Sequence, residues 1–180
     1  MKGRWQNALI LMLVCALVGG GVAWTYSVAG PVIERRALAA ADAARLSLFP
    51  EADRFETIAL AAESPLHSCC RAEKDGVTLG YLGSVSVSGS QSMIEVTAAM
   101  DREQRLLGIR VGGSDFAETP GMGARVRDAE FTGQFAGLAL PAILQENVDG
   151  ISGATVSSAA VVKGVNLIGE EIAQVIEREG

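Results

Sequence analysis

Between Asp149 and Ser158 the sequence reads DGISGATVSS, a run of small and hydroxyl-bearing residues that opens an apolar-periodic segment. In that segment Val161, Val165, Ile168, Ile172 and Val175 recur at spacings of three and four, with Glu170, Glu171, Glu177 and Arg178 off the stripe. The pattern predicts an amphipathic helix beginning near Ser157 and running almost to the end of the chain. A helix N-terminus leaves backbone N–H groups without intrahelical partners and carries about half a positive charge. Thr155, just ahead of the first turn, therefore falls where an anion would be held. Gly150 and Gly153 permit tight backbone geometry and close approach of a ligand, Ala154 keeps the loop uncrowded, and Ser152, Ser157 and Ser158 supply hydroxyls. The chemistry indicated is a phosphate seat. The plainer alternative is that these hydroxyls are ordinary N-caps.

A second run, Glu118, Thr119, Pro120, Gly121, Met122 and Gly123, reads ETPGMG and follows a strand expected to end at Val111. Glycines on both sides of a methionine suit a backbone lying flat against a ligand, with Pro120 stiffening the loop and Thr119 offering a hydrogen bond. Here the alternative is a turn with a surface methionine. His67, Cys69 and Cys70 are metal-ligand types, but the cysteines are adjacent, where zinc sites usually separate them by about two to four residues, and no second Cys or His group follows. They read as ordinary thiols or as contacts with a partner subunit. No general base, hydride-donor site or substrate pocket is legible, so no catalytic residue and no metal site are assigned.

These loops need a scaffold. From Trp5 to Ile33 the chain carries no charge, and Ala8 to Ala29 is almost wholly apolar. At 1.5 Å per residue that run reaches roughly 33 Å, enough to cross a hydrocarbon layer of about 30 Å. Lys2 and Arg4 precede it while Trp24 and Tyr26 lie near its far end, which predicts a transmembrane helix over 8–29, residues 1–7 in the cytoplasm and everything beyond outside it. Ser27, Val28 and Ala29 would also suit signal cleavage, but the run exceeds a signal core of about 7 to 15 residues, which favours an uncleaved anchor. Residues 30–50 are alanine-rich and predict a juxtamembrane helix or stalk that Pro50 ends, leaving 51–180 as the folded domain.

Within that domain, Val77 to Leu82 and the alternating Ser84 to Ser88 predict two strands or one long bent one. Met93 to Met100 alternates again, Asp101 to Arg105 makes a turn, and Leu107 to Val111 completes a hairpin. The expected class is α+β, a twisted antiparallel sheet with packed helices. The net charge of −6, with no basic cluster longer than Arg35 and Arg36, removes nucleic acid as a partner.

Taken together and in this order, the amino-terminal anchor, the ETPGMG loop, the Phe131, Gln134, Phe135, Gly137 segment and the DGISGATVSS run resemble the FMN-binding domain family. Within it they resemble the G subunit of Rnf electron-transport complexes and, more distantly, the C subunit of sodium-pumping NADH:quinone oxidoreductases. The resemblance implies FMN bound covalently, its phosphate esterified to Thr155, with Ser152, Gly153 and Ala154 as the recognition loop and Asp149 as the preceding acid. It also implies that Glu118, Thr119, Gly121, Met122 and Gly123 form the other flavin-lining loop. The turn Gly89 to Ser92 departs from the family's aromatic, glycine-rich turn, and Phe116 stands where a polar residue often precedes the loop. A threonine hydroxyl without a nearby histidine is a poor nucleophile, and the resemblance supplies a magnesium-dependent flavin transferase with FAD as donor. It further implies an electron relay in a bacterial inner-membrane complex, with the flavin domain periplasmic and other membrane subunits as partners, coupling ferredoxin and NAD chemistry to ion translocation. Gly19, Gly20 and Gly21 would let a neighbouring membrane helix approach closely. Two further readings stand beside it: a subunit of another respiratory assembly with an anchored flavin domain, and an anchored, non-redox module that binds a phosphate-bearing ligand.

Overall fold

The computed structural model describes residues 2–179. The side chains of residues 2–4, 6–8, 32–41 and 179 lie outside that description, so the charges read at Lys2, Arg4, Arg35 and Arg36 do too. The chain divides into two compact units, Met1–Ala41 and Asp42–Gly180.

Helix α1 runs Lys2–Leu48 and ends immediately before Phe49 and Pro50, a residue that cannot supply the next backbone donor. Within it Leu9–Pro31 is, among the described residues, the one stretch long and apolar enough to cross a membrane. Leu11, Leu13, Leu17 and Val22 are all exposed. A helix apolar on every side with none of it buried has no core to face, which is the property of a segment solvated by lipid.

The second unit is a five-stranded antiparallel meander in the order β1 (Arg54–Thr57), β2 (Ser68–Lys74), β3 (Val77–Ser88), β4 (Met93–Asp101) and β5 (Leu106–Gly112). The two expected strand runs of 77–88 are one strand, and the turn at Asp101 to Arg105 is fixed by Arg105 N–H donating to Asp101 Oδ1 at 2.8 Å. Strands β1 and β2 are not legible in the sequence. β2 reads SCCRAEK, in which Arg71, Glu73 and Lys74 hide the alternation, while the buried residues are Cys69, Cys70 and Ala72. Cys69 pairs opposite Gly83 and Cys70 opposite Leu82, so the two thiols leave on opposite faces. Both are buried within this chain, which removes them as surface contacts for a partner.

After β5 come short helical turns, among them α2 (Ala129–Thr132), and then the long helix α3 (Thr155–Glu179), which covers one face of the sheet. Val85, Ile94, Val96 and Ile109 meet Val161, Val165, Ile168 and Ile172 in the main core, which also takes in Phe131 from α2 and Phe135 from the 3-10 turn that follows it. Small residues set the separation: a Cβ at Gly164 would stand 3.1 Å from Val96 Cγ2, and one at Gly83 would stand 2.6 Å from Ile168 Cγ2. The opposite face buries a smaller cluster, Phe49, Ala72, Leu82 and Ala99. Ile168 is fully buried, so Ile168→Ala removes three carbons from a site that cannot collapse around the gap. The expected destabilisation is about 3 kcal/mol, read as a melting midpoint lower by about 10 °C.

Candidate functional site

Helix α3 begins two residues earlier than the apolar pattern predicts. Thr155 is its first helical residue rather than the residue ahead of it. The first acceptor of the helix is Ala154, whose carbonyl takes Ser158 N–H at 2.9 Å. Alanine thus occupies the cap position, and alanine has no side-chain oxygen to offer the first turn. The nearby serines do not substitute for it. Ser157 Oγ donates to Glu118 Oε2 at 2.6 Å, and Ser158 Oγ accepts from Ile151 N–H at 3.1 Å. The N-cap explanation of the hydroxyls therefore fails. The amides of Thr155, Val156 and Ser157 find no backbone or side-chain acceptor among the described residues. Ser157 and Ser158 are buried while Thr155 is exposed, and its hydroxyl has no partner among the described residues. Ser152 and Gly153 are exposed beside it, Ala154 is buried, and Gly153 takes φ +79°, a conformation glycine adopts without strain.

The two loops singled out by their composition meet. A Cβ on Gly153 would lie 3.6 Å from Met122 Cγ, so the ETPGMG loop passes directly against the SGAT turn. Gly121 (φ +75°) and Met122 are exposed, and Thr119 is half-buried, its carbonyl accepting from Met122 N–H and Ala124 N–H at 3.1 and 3.0 Å. Glu118 and Gly123, expected on a ligand-facing loop, are turned inward. Glu118 is 4% exposed. Its Oε1 accepts from Gln91 N–H (3.0 Å), Ser92 N–H (3.2 Å) and Ser92 Oγ (3.4 Å), and its Oε2 from Ser157 Oγ. A Cβ at Gly89 or at Gly123 would fall 2.5 Å from this carboxylate. One side chain thus ties the 89–92 turn, the 118–123 loop and the first turn of α3. Burial opposes ionisation of Glu118, but the hydrogen bonds from Ser157, Gln91 and Ser92 outweigh it and hold the carboxyl below its ordinary range. The Gly89 to Ser92 turn, which departs from the family pattern, has its role here as a donor of amides.

Asp149 is exposed, and its main chain is bracketed by Gln134: Oε1 accepts Asp149 N–H at 2.7 Å, and Nε2 donates to Asp149 O at 3.3 Å. In the sequence Gln134 belongs to a motif but has no evident task. Its position between Phe131 and Phe135, at core spacing, is the one signal the sequence carries. A cleft of about 340 Å³ opens alongside, lined by Arg125, Phe131, Gln134, Asp149, Ile151 and Ser152 among others. Phe116, the other departure from the family pattern, lies under the guanidinium of Arg127 at 4.9 Å.

An exposed threonine hydroxyl at the head of a long helix, with three unpaired amides beside it and glycines in place of side chains, suits a phosphate-bearing ligand, whose anionic oxygens those amides would face. Comparison with known proteins agrees in kind. Residues 89–168 match the family model of the FMN-binding domain, a span that includes both loops. The chain is 24% identical, over 95% of its own length and 95% of the other, to the G subunit of the proton-translocating ferredoxin:NAD(+) oxidoreductase complex of Clostridium ljungdahlii. It is 36% identical to the G subunit of the ion-translocating oxidoreductase complex of Methanosarcina acetivorans over 52% of each chain. Among solved structures, Shewanella oneidensis NqrC superposes with a TM-score of 0.50 at 20% identity, covering 73% of this chain and 72% of that one, a likeness of fold. The resemblance read from the motifs and the α+β class are both borne out.

Proposed function

We propose, from the match of residues 89–168 to the FMN-binding domain, that this chain is a membrane-anchored electron-transfer subunit carrying FMN through a phosphoester to Thr155, within an Rnf-type ion-translocating complex. The observation that carries the reading is the exposed, unpartnered Thr155 hydroxyl set among three open amides at the start of α3. Attachment joins Thr155 Oγ1 to the phosphorus of riboflavin phosphate, breaks the pyrophosphate linkage of FAD and releases AMP. The hydroxyl proton passes to the flavin transferase or solvent. Neither His67, the only histidine, nor any carboxylate among the described residues is hydrogen-bonded to Thr155, so the catalytic groups for that step belong to the transferase.

Once attached, the flavin accepts and releases electrons singly or in pairs, chemistry that protein side chains lack. The chain's own residues position it and keep it from dissociating. Amides of the first turn of α3 would hold the phosphate, and the exposed Gly121 and Met122 leave an apolar, uncrowded surface beside Thr155. The anchor Leu9–Pro31 keeps the carrier at the membrane beside the other subunits. The basic residues Lys2 and Arg4 support a cytoplasmic amino terminus and a periplasmic flavin domain in the bacterial inner membrane.

The test is direct. Full-length protein coexpressed with a flavin transferase should run as a fluorescent band on a denaturing gel and show a mass increment of about 438 Da, that of FMN less water. A coloured protein that loses its flavin on denaturation would support reversible binding instead. A second expectation concerns the half-buried Thr119, whose hydroxyl has no partner among the described residues. Thr119→Ala should move the flavin midpoint potential by about 20 mV, the worth of one ordinary hydrogen bond in a two-electron couple. An unchanged potential and absorption spectrum would mean that this hydroxyl lies away from the flavin.

A further inference from the structure

The geometry points to Gln134 as a positioning residue for the modification of Thr155, an inference that rests on the reading of Thr155 as the acceptor. A transferase that brings FAD to a threonine needs that hydroxyl held in one place. The run from Asp149 to Ser158 has few internal means of holding it. Ala154 N–H bonds to Ile151 O, Ile151 N–H bonds to Ser158 Oγ, and Ser157 is tied to Glu118. All of these lie at or beyond Ile151. At the entrance of the run, Asp149 is exposed and Gly150 contributes no side chain. Val148, just ahead of the run, is buried and hydrogen-bonded to Ile143 and Gln145, and the main chain of Asp149 that leaves it is held by the carboxamide of Gln134.

A primary amide suits this work because it carries one acceptor and one donor side by side. It can therefore engage the N–H and the C=O of a single residue, as a neighbouring strand would. Gln134 is itself fixed by its neighbours: Phe131 and Phe135 are 2% and 0% exposed and pack edge to face at 5.6 Å between ring centroids. Gln134 thus ties the entrance of the run to the core, beside the contacts that buried Ala154, Ser157 and Ser158 make further along it. Freed of that tie, the loop samples other conformations, and labelling slows in proportion to the fraction of time the competent one is populated.

The experiment uses the full chain in detergent with a flavin transferase and magnesium-FAD, following intact mass against time. Gln134→Leu, close in shape but unable to hydrogen-bond, should label about tenfold more slowly, as expected when two hydrogen bonds that order a loop are lost. Amide exchange over residues 149–152 should accelerate, while the melting midpoint moves by no more than about 3 °C. Gln134→Glu retains the acceptor for Asp149 N–H, loses the donor and should fall between Gln134→Leu and wild type. Wild-type labelling rates in both variants, with exchange over 149–152 accelerated, would overturn the proposal. So would a loss of labelling matched by a collapse of the melting midpoint in both, since that describes a role in folding alone. Absence of label on the wild-type chain would instead refute the Thr155 reading.

Discussion

Thr155→Ala, coexpressed with a flavin transferase, is expected to yield a colourless full-length protein that lacks the increment of about 438 Da while melting within about 2 °C of the unmodified wild type. The first half follows from how few hydroxyls are available. Four lie in the run from Ser152 to Ser158. Ser157 and Ser158 are buried and engaged, by Glu118 and by Ile151 N–H, so neither can meet phosphorus without unmaking the first turn of α3. Ser152 is exposed but precedes the helix, away from the first turn and its dipole, where Thr155 sits. The second half follows from exposure: the Thr155 side chain has no hydrogen-bond partner among the described residues, and alanine propagates a helix better than threonine. Thr155→Ser keeps a hydroxyl at the same place and should retain part of the label. A full adduct on the alanine variant would move the attachment to Ser152, where peptide mapping would find it.

Much of this arrangement is legible in the chain because its elements are repetitive or strongly patterned. The stripe from Val161 to Val175 lies on the sheet as its spacing dictates, and the alternation in β3 and β4 gives their register. The hidden parts are fixed by partners distant in sequence. β1 and β2 are held by pairing across a loop, where Arg71 of β2 bonds to Glu56 of β1 at 2.6 Å, so charges occupy positions where an apolar alternation would normally announce a strand. The apolar pattern misplaces the helix start because Ser157 looks like a cap when its neighbours are read alone. Its hydroxyl is directed instead by Glu118, 39 residues earlier. Hydroxyls and carboxylates name the ingredients of a site, but which of them remain unpaired is a property of the folded chain.

That distinction gives Glu118→Ala its large expected effect. Four donors converge on one carboxylate in a place where 4% of the residue meets solvent. Truncation leaves Ser157 Oγ without an acceptor and frees the 89–92 turn, a loss of about 2 kcal/mol once the partial access of water to that turn is allowed for. The midpoint of unfolding should drop by about 7 °C, and labelling at Thr155 should fall with it, because the helix start is no longer registered against the 118–123 loop. Glu118→Gln separates shape from charge. Its carbonyl can still accept from Gln91 and Ser92, and Ser157 can rotate to accept from the amide, so most of the stability should return. The pH dependence has a definite sign. The carboxyl of Glu118 is held below its ordinary value, so the stability its ionisation contributes is present in full above the unfolded-state value of about 4.3 and is lost as pH falls through the folded-state value. The gap in melting midpoint between wild type and Glu118→Gln should therefore be widest near neutrality and close in that acid range. A gap that widened on acidification would mean that Glu118 is protonated in the native protein and donates to one of its neighbours.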